Sequence, residues 1–128
     1  MTAVTQIVSE AAVAVDGKTV GSCGRGLLIL LGVAEGDTET DAELLCRKIV
    51  NLRIFQDENG KMNRSITDID GQMLVVSNFT LLASYKKGNR PDYMGAAAPD
   101  EANALYDAVK KTVAEQSHNA AYRKTQNA

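Results

Sequence analysis

Residues Gln72 to Tyr93 read QMLVVSNFTLLASYKKGNRPDY: an apolar run, a polar break, a second apolar run and a basic segment. Met73 to Val76 is short, apolar and rich in β-branched residues, the pattern of a buried strand. Ser77, Asn78 and Thr80 then place two hydroxyls and an amide within four positions, and Phe79 to Ala83 resumes the apolar character. Polar side chains buried at such a break need hydrogen-bond partners or a ligand. Lys86, Lys87 and Arg90 follow in a loop-like setting of Gly88, Asn89 and Pro91.

Upstream of this stretch the chain alternates strand and helix signals. Ala3 to Val8 and Ala11 to Val15 alternate with a strand period, and Asp16-Gly17 is a tight-turn pair leading into Lys18 to Val20, so an N-terminal meander is expected. Leu27 to Val33 is apolar without alternation, which predicts a central strand covered on both faces. Gly24-Arg25-Gly26 precedes that strand, whereas a dinucleotide-binding glycine motif follows one, so these glycines read as a turn. Thr38-Glu39-Thr40-Asp41 resembles a capping box, and Ala42, Leu45, Ile49 and Leu52 then form one apolar stripe of a helix. Asp57-Glu58-Asn59-Gly60 and Asp68 to Gly71 read as turns, the first without the twelve-residue calcium-loop pattern. Pro99-Asp100-Glu101 opens a second amphipathic helix marked by Ala102, Leu105, Tyr106, Val109 and Val113 and ending near Gln116. The pattern is that of a single α/β domain over residues 1–116, a mixed, twisted and partly barrel-like sheet covered by two helices. Residues 117–128 read as a polar tail.

Composition narrows the function classes. A chain of 128 residues is one domain by length, and 45% hydrophobic with 23% charged residues is ordinary for a folded globular protein. The longest apolar run, Leu27 to Leu31, falls far short of the ~20 residues of a membrane helix. Cys23 and Cys46 form no C-x-x-C pair and read as reduced core residues, so no metal or cofactor is expected. The single histidine, His118, lies in the polar tail and leaves a serine-histidine-aspartate triad without a base. With a net charge of -2, contact with nucleic acid must come from a local patch.

Three further blocks carry a resemblance. SNFTLLAS with KKGNRP closely resembles the SQFTL-containing block of the D-aminoacyl-tRNA deacylases, formerly called D-tyrosyl-tRNA deacylases. AVTQIVSEAAVAVDGKTVG, GLLILLGVAEGDTETDAELLCRKIVNLRIF and DENGKMNRSI resemble the same family in the same order, from Met1 to about Glu115. The resemblance implies a cytoplasmic homodimer, with pockets at the subunit interface lined by the SQFTL-like segment. It also implies hydrolysis of the ester joining a D-amino acid, or glycine, to the 3' end of tRNA. On these positions, Ser77 and the main chain around Asn78 to Thr80 would hold the ester, with Ser77, Asn78 and Thr80 as the catalytic positions, and Phe79 would pack on the terminal adenine. Lys86, Lys87 and Arg90 would meet phosphates. Thr80 is the hydroxyl once favoured in the family as a nucleophile, with no side-chain base near it in this sequence to activate it.

Taken without the resemblance, the polar cluster also fits a bulge or a turn, Phe79 a core position, and the cations a solvated surface. Two departures from the family pattern stand out. Asn78 replaces a glutamine, which shortens the amide by one methylene. The family's C-terminal Gly-Pro-Val-Thr motif, which excludes L-amino acids, has no counterpart, because Pro91 and Pro99 follow Arg90 and Ala98. The alternative expectation is a shortened relative that binds tRNA ends without selective hydrolysis, or a dimerising domain.

Overall fold

The computed structural model describes residues 1–82, 89–91 and 95–116, with Phe79, Thr80 and 110–116 described through their backbone. Strand β4 (Gly26–Gly32) is the centre of a three-stranded sheet. Strand β1 (Thr2–Val8) pairs antiparallel with it, from Thr2 opposite Gly32 to Val8 opposite Gly26. Strand β7 (Gln72–Ser77) pairs parallel with it on the other side, from Gly26 opposite Gln72 to Leu31 opposite Ser77. A parallel pair needs a long crossover, and here residues 33–71 supply it.

The crossover begins with helix α1 (Glu39–Asn51). Its start follows from the sequence: Thr38 is the N-cap, its hydroxyl accepts from the Asp41 N–H, and the Asp41 carboxylate accepts from the Thr38 N–H at 2.9 Å. This is the capping box read in the sequence. The buried stripe is Ala42, Cys46, Ile49 and Val50, with Leu45 partly buried beside it. The stripe is therefore wider than the Ala42, Leu45, Ile49, Leu52 line, because Leu52 is already the C-cap and has left helical geometry. A short hairpin of β5 (Phe55–Gln56) and β6 (Met62–Arg64) follows. Its turn is held by Asp57, whose Oδ1 accepts from the Asn59 and Lys61 N–H groups at 2.8 and 3.1 Å and whose Oδ2 accepts from the Asn63 amide at 3.2 Å. A reciprocal pair closes the next turn, with the Ser65 N–H donating to Asp68 Oδ2 at 2.9 Å and the Asp68 N–H to Ser65 Oγ at 3.2 Å.

The two faces of the sheet are covered by different elements. Leu27, Ile29, Leu31, Met73 and Val75 join α1 and helix α2 (Pro99–Gln116), with Tyr106 and Val109 of α2 in the same core. Leu74 and Val76 form a second cluster with Cys23, packed against Val8, Ala11, Val13, Leu28 and Leu30. That second cover is the hairpin of β2 (Ala11–Val15) and β3 (Lys18–Cys23), whose turn places Asp16 and Gly17 at φ 52° and 80°. The N-terminal meander is corrected here. The Asp16-Gly17 hairpin forms as read, but β1 pairs with β4 and not with β2. Burial on both faces explains why Leu27 to Val33 and Met73 to Val76 lack alternation, and each such Leu or Ile contributes roughly 1.5–3 kcal/mol. The mixed sheet under two helices matches the expected α/β class, although no closed barrel forms among the described residues.

Two outcomes follow from this packing. Tyr106, 3% exposed, donates its hydroxyl to the Val75 carbonyl at 2.8 Å, tying α2 to the edge strand. Tyr106→Phe should lower unfolding stability by about 1–2 kcal/mol in urea titration. Asp41, Asp57 and Asp68 have carboxyls held below their ordinary 3.8, chiefly by N–H donors from Thr38, Lys61 and Ser65. A depressed folded pKa contributes stability that is present above the unfolded value and lost as pH falls through the folded one. The melting temperature should therefore be flat across neutral pH and fall below about pH 4. Asp57→Asn should be less stable than wild type at pH 7, with the difference closing on the acid limb.

Candidate active site

The polar break read in the sequence lies at the end of the parallel pair. Ser77 is the last residue of β7 and sits opposite Leu31, and the Asn78 N–H donates to the Leu31 carbonyl at 2.7 Å. Both Ser77 and Asn78 are half-buried. Beyond them the second apolar run forms a 3-10 turn, Phe79–Leu82, in which the Leu81 N–H approaches the Asn78 carbonyl at 3.4 Å. The chain thus turns over the end of β4 instead of extending the sheet.

Gly32 makes room for that turn. A Cβ at residue 32 would overlap Leu82 Cδ2 and lie 3.1 Å from both the Asn78 carbonyl oxygen and Leu81 Cβ. The next residues along the chain receive a second segment. The Ala97 N–H donates to the Val33 carbonyl at 2.9 Å, Ala34 bridges Ala96, and the Glu35 N–H donates to the Gly95 carbonyl at 2.9 Å. Asp37 braces the same exit: its Oδ2 accepts from the Ala34 N–H at 2.7 Å and pairs with the Met1 ammonium at 2.7 Å. The stretch from Leu82 to Gly95 is therefore attached at both ends to one end of one strand.

The geometry brings Ser77, Asn78 and the backbone of Phe79 and Thr80 together on the β4 end. Arg90 is exposed, and Lys86 and Lys87 lie outside the described residues, as does His118. Sequence reading missed the supporting surface, Gly32 and 95–97. Its available signal was a glycine interrupting the branched run LLILLGV. Among the described residues no group of three or more His, Cys, Asp or Glu could hold a metal ion. Neither cysteine supplies an activated nucleophile: burial raises the Cys23 thiol, and burial with the nearby Glu43 charge pushes Cys46 up to about 11.

Comparison with known proteins decides the family. The profile of the D-Tyr-tRNA(Tyr) deacylases matches residues 4–127, past the Glu115 at which the motif resemblance ends. The chain belongs to the D-Tyr-tRNA(Tyr) deacylase family. Within that family it is 58% identical over 107 residues to a D-aminoacyl-tRNA deacylase of Caldicellulosiruptor saccharolyticus, a match covering 84% of this chain and 72% of the relative. A D-aminoacyl-tRNA deacylase of Kosmotoga olearia is 51% identical over 118 residues, covering 92% of this chain and 80% of the relative. The solved structure of a c-Myc DNA unwinding element binding protein superposes with a TM-score of 0.90 at 35% identity, covering 98% of this chain and 85% of that one. A probable eukaryotic D-amino acid tRNA deacylase shares the fold, with a TM-score of 0.72 at 19% identity, over 89% of this chain and 67% of that one.

For this D-Tyr-tRNA(Tyr) deacylase family member, thiol chemistry should be silent in the native state. With its pKa near 11, Cys46 holds about a hundred-fold less thiolate than a cysteine at 9.0. Alkylation by iodoacetamide at pH 8 should proceed only as the protein unfolds, followed by mass spectrometry across a urea series.

Proposed function

We propose that this protein hydrolyses the ester bond of D-aminoacyl-tRNA, returning free tRNA and a D-amino acid. The observation that carries the reading is the SNFTL segment, turned over the end of β4 within a chain 51–59% identical to relatives named D-aminoacyl-tRNA deacylases. An aminoacyl ester is already activated relative to an amide. Placing water or the ribose hydroxyl and holding the oxyanion with main-chain N–H groups supplies acceleration without an ionisable base. The Asn78 N–H is engaged by the Leu31 carbonyl, and in this reading the N–H groups of Phe79 and Thr80 hold the oxyanion. Ser77 and the Asn78 and Thr80 side chains orient the ester, and Phe79 stacks on the terminal adenine. Lys86, Lys87 and Arg90 neutralise phosphates of the acceptor end.

The same reading extends to glycyl-tRNA formed on the alanine tRNA, to a homodimer with the pocket at the subunit interface, and to a cytoplasmic setting. No helix among the described residues is long and apolar enough to cross a membrane. Residues 117–128, read in the sequence as a polar tail, lie outside the described residues. A second reading, nucleic-acid binding without turnover, is favoured by the likeness to a protein named for DNA binding. Salt separates a bound state from none, because each phosphate contact releases counterions.

The test is hydrolysis of D-tyrosyl-, glycyl- and L-tyrosyl-tRNA by the full chain, with oligomeric state measured in the same buffer. Selective loss of the first two esters is the expected result. Folded protein that hydrolyses none but binds tRNA in a salt-sensitive way selects the second reading. Phe79→Ala should lower kcat/KM about ten- to a hundred-fold through lost stacking. Unchanged turnover in both Phe79→Ala and Thr80→Ala removes the pocket from this stretch.

A further inference from the structure

We propose that Gly32 is a positioning residue for this reaction, its missing side chain setting the height of the Phe79–Leu82 turn above the end of β4. The inference rests on the deacylase reading for its consequence, but its geometry is independent of it. Every other residue from Leu27 to Val33 is a branched apolar side chain, and a glycine inside a strand weakens it unless another backbone must approach closely. Here one does. On the β1 side Gly32 is paired with Thr2, while on the β7 side the ladder has ended one residue earlier, at Leu31 opposite Ser77. The turn occupies the space where the ladder would have continued, with Leu82 Cδ2 inside the volume of a Cβ at 32 and the Asn78 oxygen and Leu81 Cβ at its margin.

Two contacts with β4 thus fix the turn. The Leu31 carbonyl holds its entry through the Asn78 N–H, and the bare Cα of Gly32 lets its exit settle. A methyl group at 32 would turn the tip of the Leu82 side chain aside and press on the Asn78 carbonyl oxygen and Leu81 Cβ, each 3.1 Å from it, shifting the turn by a few tenths of an ångström while its Asn78 N–H is still tied to Leu31. Rate depends steeply on such placement, with about 10²-fold lost for a displacement near 1 Å, so a shift of a few tenths costs about three- to tenfold. The phosphate-binding cations proposed above follow the turn in sequence and would set most of the tRNA affinity, so the loss falls on kcat and spares KM.

The experiment compares wild type, Gly32→Ala, Leu82→Ala and the Gly32→Ala/Leu82→Ala double variant. It uses D-tyrosyl-tRNA hydrolysis and hydrogen exchange at the Asn78 amide. Gly32→Ala should lose about three- to tenfold in kcat, with KM unchanged and faster exchange at Asn78. Removing the Leu82 side chain should restore part of both, since its tip is the atom nearest the added methyl and its loss gives the turn room to settle. Unchanged kcat and exchange in a folded Gly32→Ala protein overturns the proposal, as does a folded double variant that regains neither. If the single variant does not fold, an active double variant supports the proposal. Failure of both to fold overturns it in favour of a purely structural glycine. An inactive wild type sinks the deacylase reading alone, and Asn78 exchange across the series still decides the role of Gly32.

Discussion

The parallel pairing of β4 with β7 is the constraint on which the rest of the structure depends. Two strands running the same way cannot be joined by a tight turn, so α1, the β5–β6 hairpin and the turn from Ser65 to Gly71 all serve as a return path. Both strands are apolar on both faces, so the sheet needs two covers. The helices supply one through Tyr106, Val109, Ala42 and Cys46, and the β2–β3 hairpin supplies the other through Cys23 and Val13. Hydrogen bonds at the margins tie the covers to the strands, as when Gln72 Oε1 accepts the Gly24 N–H at 2.5 Å where β3 gives way to β4.

The same pairing explains where the candidate site falls. Parallel strands end together, and at the end of β4 and β7 the main chain must satisfy its own donors and acceptors by other means. The Leu31 carbonyl takes the Asn78 N–H, the Val33 carbonyl takes the Ala97 N–H, and the Gly95 carbonyl takes the Glu35 N–H. A site assembled from main-chain groups on such an end suits ester chemistry that needs orientation and dipoles more than a titrating side chain. The Asn78 contact to Leu31 is made by the backbone and does not depend on the length of the Asn78 side chain.

Local signals in the sequence were legible where the physics is local. Thr38 and Asp41 cap α1 because their spacing alone fixes that contact, and Asp16-Gly17 turns because glycine tolerates positive φ. The partner of β1 was not legible, since alternation in Ala3 to Val8 marks a strand but says nothing of what lies beside it. Leu52 was read into the helix stripe because its spacing fits, whereas the cap geometry that ejects it depends on the chain turning toward β5. At the site, Ser77 and Asn78 announced a break in the strand. The surface that receives the break, from Gly32 to Glu35 with 95–97, is distant in sequence and emerges only when the sheet is assembled.

Attachment of both Leu82 and Gly95 to one strand end separates heritable change between them from change in the scaffold. Substitutions, insertions or deletions between those anchors leave every ladder bond of the three-stranded sheet in place, because loop closure grows only slowly more costly with length. Sequence and length can therefore vary between the two anchors while the three-stranded scaffold stays constant.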